Sequence, residues 1–423
     1  MRKNKLRIDE NGHTPLMAKL IALLQKPDKT GLVMFRTALK TNMYYKMQRY
    51  SKMREQVEKE MEAEEQQVAS KMEYYKLKSG ADASDNWSMY EKISETVRRS
   101  LDKVEKIAQI ETAAYGIYMR HGLQSQETLE QYNSEVPGTR KEPNAFLMIR
   151  KNELLQKLKA MECFNAHPYI VDSVAGVVLG FLRKPEIVQT KLLNWMFTGK
   201  AGTGKTTIAR AIAAVFAAAG IFVFDDVVES GRGDLVAGFV GGTVERTNER
   251  LIMALEKVHF VDEAYAIVGS GNAEQESYGL EAIAAIVDFT TKHMGMHCLM
   301  FAGYAEQMMG PFLQANEGLS RRIPYKFNLA DYTPDELINI FKRALLTEQG
   351  IKVQGCDKAS LSAANRFYTK GAWRFLERVV EKLCSEQDNP RSELRMMVDA
   401  LLKAQAGSMT NLAMMAVLDI ATR

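Results

Sequence analysis

The sequence is poor in cysteine, with four among its 423 residues: Cys163, Cys298, Cys356 and Cys384. These positions are far apart and lie in apolar or helical contexts, whereas zinc sites and disulfide frameworks use closely spaced cysteines. The pattern therefore predicts neither kind of site. It indicates buried thiols in a reducing compartment.

Long apolar runs are also missing. No window reaches the roughly 18 uninterrupted apolar residues of a membrane span, and the first residues, MRKNKLRIDENGH, lack the apolar segment of a secretory signal. We therefore expect a soluble, cytoplasmic protein with no membrane span. A nuclear or a virus- or phage-associated protein would have the same features.

Neither sign of charge dominates the composition. The chain has 56 basic and 52 acidic side chains and a net charge of +4. Such a surface lacks the strong positive field that is typical of proteins that bind polyanions. A nucleic-acid partner is therefore disfavoured, although the charge alone does not exclude one.

Helix breakers are scarce in the first third of the chain. No proline or glycine interrupts residues 33–78, which predicts one long helix. A second helix is predicted over residues 87–119, with Asp85 as its N-cap. The run VPGTRKEPN, residues 136–144, is typical of a linker. We therefore assign residues 1–140 to an all-helical N-terminal region.

Basic and aromatic residues alternate between Arg36 and Arg54. Such a run could stack on nucleic-acid bases. It fits better a helix that places its aromatic residues on one face and solvated charges on the other, and we favour this second interpretation.

From about residue 150, short apolar runs alternate with helical segments, which is typical of a parallel sheet covered by helices on both faces. Five runs are predicted as strands: LLNWMF, IFVFDDVV, VHFVDEA, HCLMFAG and YKFNL. This pattern predicts an α/β domain over residues 141–330. The helical pattern that follows predicts a small helical domain over residues 331–423.

The segment FTGKAGTGKTT fits the phosphate-binding pattern G-x-x-x-x-G-K-[ST] between a strand and a helix. Its glycines allow backbone N–H groups to face phosphates, Lys205 reaches the β- and γ-phosphates, and Thr206 offers a hydroxyl to Mg²⁺. The motif predicts ATP and Mg²⁺ as ligands. The predicted nucleotide-binding residues are Gly199, Lys200, Ala201, Gly202, Thr203, Gly204, Lys205, Thr206 and Thr207.

A second strand, VHFVDEAY, ends in the carboxylates of Asp262 and Glu263. In this context Asp262 is expected to hold the metal ion, and Glu263 is expected to orient the attacking water. With Lys205, these residues predict an enzyme that hydrolyses ATP.

These motifs and several further blocks resemble the AAA+ ATPases of the CbxX/CfqX type, which include the red-type Rubisco activase and related sporulation and type VII secretion proteins. The blocks occur in the family order: DLVAGFVGGT, DEAYAI, YGLEAI, FAGYAEQM, NEGLSRRI and FNLADYTPDEL. The resemblance is strong over residues 190–345, weaker to about 380 and absent from the first 140. It implies an AAA+ P-loop NTPase core with a five-stranded parallel sheet and a C-terminal helical lid.

The resemblance also implies roles for residues outside the two nucleotide motifs. Phe239, with Val240 and Gly241, is similar to the aromatic pore loop that grips a polypeptide. Arg322 corresponds to the arginine finger that reaches the ATP of a neighbouring subunit, and Arg321 beside it is the alternative. Arg374, in GAWRFLER, corresponds to the lid arginine that contacts the γ-phosphate.

The combined prediction is a homo-oligomeric ring, expected to be a hexamer, that uses ATP to remodel a protein substrate. The N-terminal helices would recognise the substrate or an adaptor. Two other classes stay open: a nucleic-acid motor or loader, and a scaffold in which bound ATP locks an oligomer with little hydrolysis.

Overall fold

The computed structural model describes residues 8–9, 13–26, 30–78, 83–122, 145–164, 166–238, 241–269 and 273–330. Its N-terminal part contains helix α1 (Pro15–Gln25), the 49-residue helix α2 (Thr30–Lys78) and the 40-residue helix α3 (Ala83–Gly122). Asp85 is not an N-cap, because α3 already begins at Ala83. It lies in the first turn of that helix.

Three helical segments connect this part to the sheet: α4 (Ala145–Ala160), α5 (Pro168–Arg183) and the short α6 (Glu186–Gln189). Proline occupies the first position of both α1 and α5, where its missing N–H has no intrahelical partner to lose. The backbone N–H of Leu16 donates to Asp172 Oδ1 at 2.9 Å, so the start of α1 is fixed against α5.

The sheet contains five strands in the order β2-β3-β4-β1-β5, and every neighbouring pair is parallel. The strands are β1 (Trp195–Thr198), β2 (Val227–Ser230), β3 (Val258–Val261), β4 (Cys298–Gly303) and β5 (Tyr325–Asn328). The predicted α/β fold with a five-stranded parallel sheet is confirmed. Strand β2 is shorter than predicted, because Ile221 and Phe222 are buried in a loop instead of in the sheet.

Helices cover both faces of this sheet. They are α7 (Lys205–Ala219), α8 (Arg232–Leu235), α9 (Thr243–Met253), α10 (Ala273–Lys292), α11 (Ala305–Gln307) and α12 (Glu317–Arg322). A 3-10 helix (Ala264–Ile267) follows β3, and a π-helical turn (Met308–Phe312) follows α11. One hydrophobic core joins α1, α5 and α7 to the sheet, and a second joins α9 and α10 to it.

Helix α2 packs directly on this α/β unit through polar groups that are fully buried. Lys46 Nζ lies 2.6 Å from both carboxylate oxygens of Glu256, and Tyr50 Oη donates to the same carboxylate at 2.8 Å. Burial lowers the pKa of Lys46 and raises that of Glu256, while the ion pair opposes both shifts. Arg49 adds a hydrogen bond of 2.7 Å to the carbonyl of Met294.

Three residues of the basic and aromatic run 36–54 make these contacts: Lys46, Arg49 and Tyr50. The expectation of solvated charges is wrong for Lys46, which is buried against Glu256. Exposed aromatic side chains are present on the same helix at Tyr44 and Tyr45. The part of the run with Lys46, Arg49 and Tyr50 therefore packs α2 onto the α/β unit, while Tyr44 and Tyr45 lie outside that contact.

Two further sequence expectations concern membranes and thiols. Within the described ranges, no helix is both long and apolar enough to cross a bilayer. Cys298 is fully buried in β4, and its thiol donates to the carbonyl of Leu193 at 2.7 Å. Burial raises the pKa of this thiol well above its usual value, so Cys298 is an inert core residue.

Candidate functional site

The phosphate-binding loop lies between the end of β1 and the start of α7. Three of its glycines have positive φ: Gly199 at 154°, Gly202 at 76° and Gly204 at 86°. A Cβ on Gly199 would lie 2.8 Å from the carbonyl oxygen of Leu329, so a larger residue there would displace the chain after β5. The loop conformation therefore requires the glycines that the motif supplies.

Lys205 is the first residue of α7 and is folded back onto this loop. Its Nζ donates to the carbonyls of Gly199 at 3.0 Å and Lys200 at 2.9 Å. Burial lowers the pKa of Lys205, and the nearby carboxylates of Asp262 and Glu263 oppose that shift. The ammonium group thus lies within the loop, at the N-terminus of a 15-residue helix, where the helix dipole favours an anion.

The two carboxylates follow β3 directly. Asp262 donates its backbone N–H to the carbonyl of Ser230 at 3.1 Å, and its Oδ1 accepts from the N–H of Glu263 at 3.0 Å. Glu263 has φ 46° and ψ 45° and starts the 3-10 helix that follows. Left-handed backbone is rare for glutamate, so the turn places this side chain by a strained conformation.

The carboxyl ends of the parallel strands bring further polar side chains to the same edge of the sheet. At the end of β1, Thr198 Oγ1 bonds to Asn328 Oδ1 at 3.0 Å. Tyr304 follows β4, and its ring lies 6.2 Å from that of Tyr265. The hydrogen bond from Tyr265 to the Glu263 carboxylate raises the pKa of Tyr265 to about 12. Ligands of open α/β sheets bind at this edge.

Arg321 and Arg322 form the last turn of α12 and have different surroundings. Arg322 is partly buried, and it donates from Nε to Thr291 Oγ1 at 3.1 Å and from Nη1 to the carbonyl of Gly318 at 3.2 Å. Arg321 is exposed and forms no ion pair or side-chain hydrogen bond with the described residues. Arg322 is therefore restrained within its own chain, while Arg321 is free to contact another molecule.

The flanks of the expected pore loop are well defined. The N–H of Ala237 donates to Thr243 Oγ1 at 3.2 Å, and Gly241 has φ 84°. Phe239 and Val240 lie outside the described residues. So does Arg374, together with the whole predicted helical domain of residues 331–423.

A model for the ATPase family associated with various cellular activities (AAA) matches residues 195–321. Stage V sporulation protein K of Bacillus subtilis (strain 168) is 34% identical over 158 residues, which are 37% of this chain and 48% of that protein. The chloroplastic ribulose bisphosphate carboxylase/oxygenase activase of Cyanidioschyzon merolae (strain NIES-3377 / 10D) is 34% identical over 174 residues, 41% of this chain and 58% of that protein.

Residues 195–321 are therefore an AAA domain, and the similar proteins are AAA+ ATPases of the CbxX/CfqX type. The ESX-1 secretion system protein EccA1 of Mycolicibacterium smegmatis (strain ATCC 700084 / mc(2)155) is also similar, at 32% identity over 160 residues, 38% of this chain and 28% of that protein. The chain thus spans about half the length of the first two relatives and less of the third. The AAA domain contains the loop and the strand ends described above, and its family hydrolyses ATP.

Two contacts around the AAA domain site were not anticipated from the sequence. Tyr265 belongs to the DEAYAI block, but nothing in the sequence predicted its hydrogen bond to the Glu263 carboxylate. Arg232 lies between two glycines in GRGD and bonds to the turn after β3. Its signal in the sequence is a lone arginine two residues before the start of the DLVAGF block at Asp234.

Proposed function

We propose that this chain is an ATP-hydrolysing subunit of a ring that remodels a protein substrate. The observation that carries the proposal is the edge of the sheet at which Lys205, Asp262 and Glu263 meet. The electrostatic influence of both carboxylates on Lys205 supports their closeness. An AAA domain with this arrangement has the groups needed to hold a triphosphate and to activate water.

The residues at this edge fit ATP and Mg²⁺. The positive-φ glycines shape a loop of backbone donors, and Lys205 now bonds to carbonyls of that loop, which a phosphate would replace as its partners. Thr206 in the first turn of α7 and the exposed carboxylate of Asp262 supply the oxygen ligands that Mg²⁺ prefers. In this assignment Glu263 accepts a proton from the water that attacks the γ-phosphate.

Arg322, or Arg321 beside it, is assigned as the arginine finger. It would contact the ATP bound to a neighbouring subunit and stabilise the transition state of hydrolysis there. A guanidinium placed there stabilises the charge on the transferring phosphoryl group only when subunits assemble. Both arginines end a short helix whose N-cap, Asn316, accepts from the N–H of Gly318 at 2.8 Å. This assignment makes hydrolysis depend on a homo-oligomer, expected to be a hexamer.

The segment of Phe239, Val240 and Gly241 is assigned as the pore loop that contacts a protein substrate. Two buried threonines of α9, Thr243 and Thr247, bond to Ala237 and Leu235 in the chain that leads into this segment. A nucleic-acid motor is less well supported, because Lys46, Arg49 and Tyr50 are engaged in packing α2 onto the AAA domain. In the same proposal, the N-terminal helices recognise the substrate or an adaptor, and Arg374 of the lid contacts the γ-phosphate.

Nucleotide binding is tested with Lys205→Ala and a matched control from the same loop, Lys200→Ala. Lys200 takes part in the loop through its backbone, whose carbonyl accepts from Lys205 Nζ at 2.9 Å, and its side chain is exposed. The side chain of Lys205 is buried within the loop. We expect Lys205→Ala to lose the binding of a fluorescent ATP analogue and Lys200→Ala to retain it. Equal binding by both variants would contradict the proposed site.

Remodelling is tested separately, through proteins that copurify with a hydrolysis-blocked Glu263→Gln ring in ATP. The matched control adds Phe239→Ala to the same ring. We expect bound polypeptides to depend on Phe239 and to be released when ATP is removed. Capture that is indifferent to Phe239 would contradict the pore-loop assignment while leaving the ATPase assignment standing.

A further inference from the structure

The guanidinium of Arg232 connects three segments around the proposed ATPase site. Its Nη1 donates to the carbonyl of Ala266 at 2.8 Å and to that of Ile267, and its Nη2 donates to the carbonyl of Gln275 at 3.0 Å. Ala266 and Ile267 end the 3-10 helix that begins directly after Glu263. Gln275 lies in the first turn of α10. Arg232 itself begins α8.

The backbone around this guanidinium is packed too closely for additional side-chain atoms. Gly269 has φ 84°, and a Cβ there would lie 3.0 Å from Arg232 Nη1. A Cβ on Gly279 of α10 would lie 2.2 Å from the carbonyl oxygen of Ile267. The two glycines thus allow the turn after Glu263, α10 and Arg232 to meet. Two of the three acceptors of Arg232, the carbonyls of Ala266 and Ile267, belong to that turn, so a displacement of the turn would alter the contacts of Arg232.

The other end of α8 is connected to α9. The carbonyl of Leu235 accepts from Thr247 Oγ1 at 2.8 Å, and the N–H of Ala237 donates to Thr243 Oγ1. Both threonines are fully buried. The chain from Arg232 to the segment after Ala237 is therefore held at its start by the turn after Glu263 and at its end by α9.

We propose that Arg232 is a positioning residue that transmits the state of the turn after Glu263 to α8 and α9, the two helices on either side of the proposed pore loop in the sequence. The inference rests on the proposed function, because it takes Glu263 as the residue that activates water at the bound ATP. Arginine suits this position, since its planar fork serves several carbonyls at once, whereas lysine presents a single point charge. Helix α10 extends the link to Thr291, the partner of Arg322.

The test is hydrogen exchange of the full chain, measured by mass spectrometry with and without AMP-PNP and Mg²⁺. In the wild type we expect AMP-PNP to change exchange in peptides covering residues 232–253. Arg232→Ala should lose that nucleotide-dependent change while it binds AMP-PNP with wild-type affinity. Arg232→Lys should also lose most of it. In steady state, the KM for ATP should stay unchanged while kcat changes.

Arg250→Ala is the matched control. Arg250 is an arginine of α9 that bonds to Ser230 Oγ at 2.8 Å and to the carbonyl of Glu229, with no bond to the turn after Glu263. It should retain the nucleotide-dependent change. Loss of the change in Arg250→Ala as well would indicate general loosening and would overturn the inference, as would a wild-type response in both Arg232 variants.

Two outcomes separate this inference from the proposed function. If the wild type does not bind AMP-PNP, the proposed function fails and this inference fails with it. If the wild type responds and the Arg232 variants respond equally, only the inference is overturned. Should Arg232→Ala fail to fold, Arg232→Lys and Arg232→Gln decide the question by the same readout.

Discussion

Replacing Lys46 by methionine should strongly destabilise the protein. The change keeps the length of the side chain and removes its charge, which leaves the fully buried carboxylate of Glu256 with Tyr50 Oη as a partner. Removing one partner of a buried ion pair costs about 3–5 kcal/mol. For a domain of about 150–250 residues, such a loss in the free energy of unfolding lowers Tm by roughly 6–20 °C.

The assay is thermal unfolding followed by tryptophan fluorescence, since Trp195 of β1 is fully buried and stacks on Tyr325. The control is Lys40→Met on the same helix. Lys40 is exposed, and its ammonium lies 5.6 Å from the centre of the Tyr118 ring, so its loss should cost under about 1 kcal/mol.

A double variant, Lys46→Met with Glu256→Leu, should recover most of the lost stability, because it removes both buried charges. If Lys46→Met has the same Tm as Lys40→Met, or if the double variant is the least stable of the three, the reasoning is refuted. Either result would mean that α2 does not dock on the AAA domain through this ion pair.

Three further predictions concern acid sensitivity and the nucleotide site. Burial lowers the pKa of His259 and of His297 to about 3, so the folded state favours neutral rings, and stability present above pH 6.5 is lost as the pH falls from there toward about 3. At about pH 5 the loss in the free energy of unfolding is about 2 kcal/mol per histidine. Denaturant titrations of His259→Asn and His297→Asn should therefore show a free energy of unfolding that depends less on pH, and an unchanged pH dependence would contradict this prediction. Glu263→Gln should bind ATP, hydrolyse it at a strongly reduced rate and accumulate oligomers, as size measurements in ATP would show, whereas failure to bind would mean that the assignment of the β3 carboxylates is wrong. Gly199→Ala should weaken ATP binding in a fluorescence titration, because its Cβ would lie 2.8 Å from the carbonyl of Leu329; wild-type affinity would contradict the packing argument.

Local sequence patterns were sufficient for the sheet and the phosphate-binding loop. Buried parallel strands read as short apolar runs, and all five such runs contain or overlap the observed strands. The loop motif depends on glycines at fixed positions, and the positive φ angles of Gly199, Gly202 and Gly204 explain that requirement. Element boundaries were less certain, as Asp85 shows, because alanine and serine before it are also accepted in a helix.

Long-range pairing could not be predicted from the sequence. Lys46 and Glu256 are separated by 210 positions, and each alone looks like an ordinary solvated charge. Only the docking of α2 against the loop between α9 and β3 makes them partners. The same reason explains why the N-terminal helices were not expected to share a core with the AAA domain.

Arg232 was missed for a different physical reason. Its acceptors are the backbone carbonyls of Ala266, Ile267 and Gln275, and every residue has a carbonyl, so no side-chain pattern marks them. The choice between Arg321 and Arg322 likewise depends on contacts. Thr291 restrains Arg322 within its own chain, and a neighbouring subunit would have to compete with that bond.

The most direct test of the account is the ATPase rate per subunit as a function of protein concentration, with each sample sized by mass photometry in ATP. The wild type is compared with Arg322→Ala and Arg321→Ala. We predict a rate that rises as rings form and that collapses in Arg322→Ala, or in Arg321→Ala if that arginine is the finger, although ATP still binds. A rate that is indifferent to concentration and to both arginines would contradict the ring model and favour a nucleotide-bound scaffold.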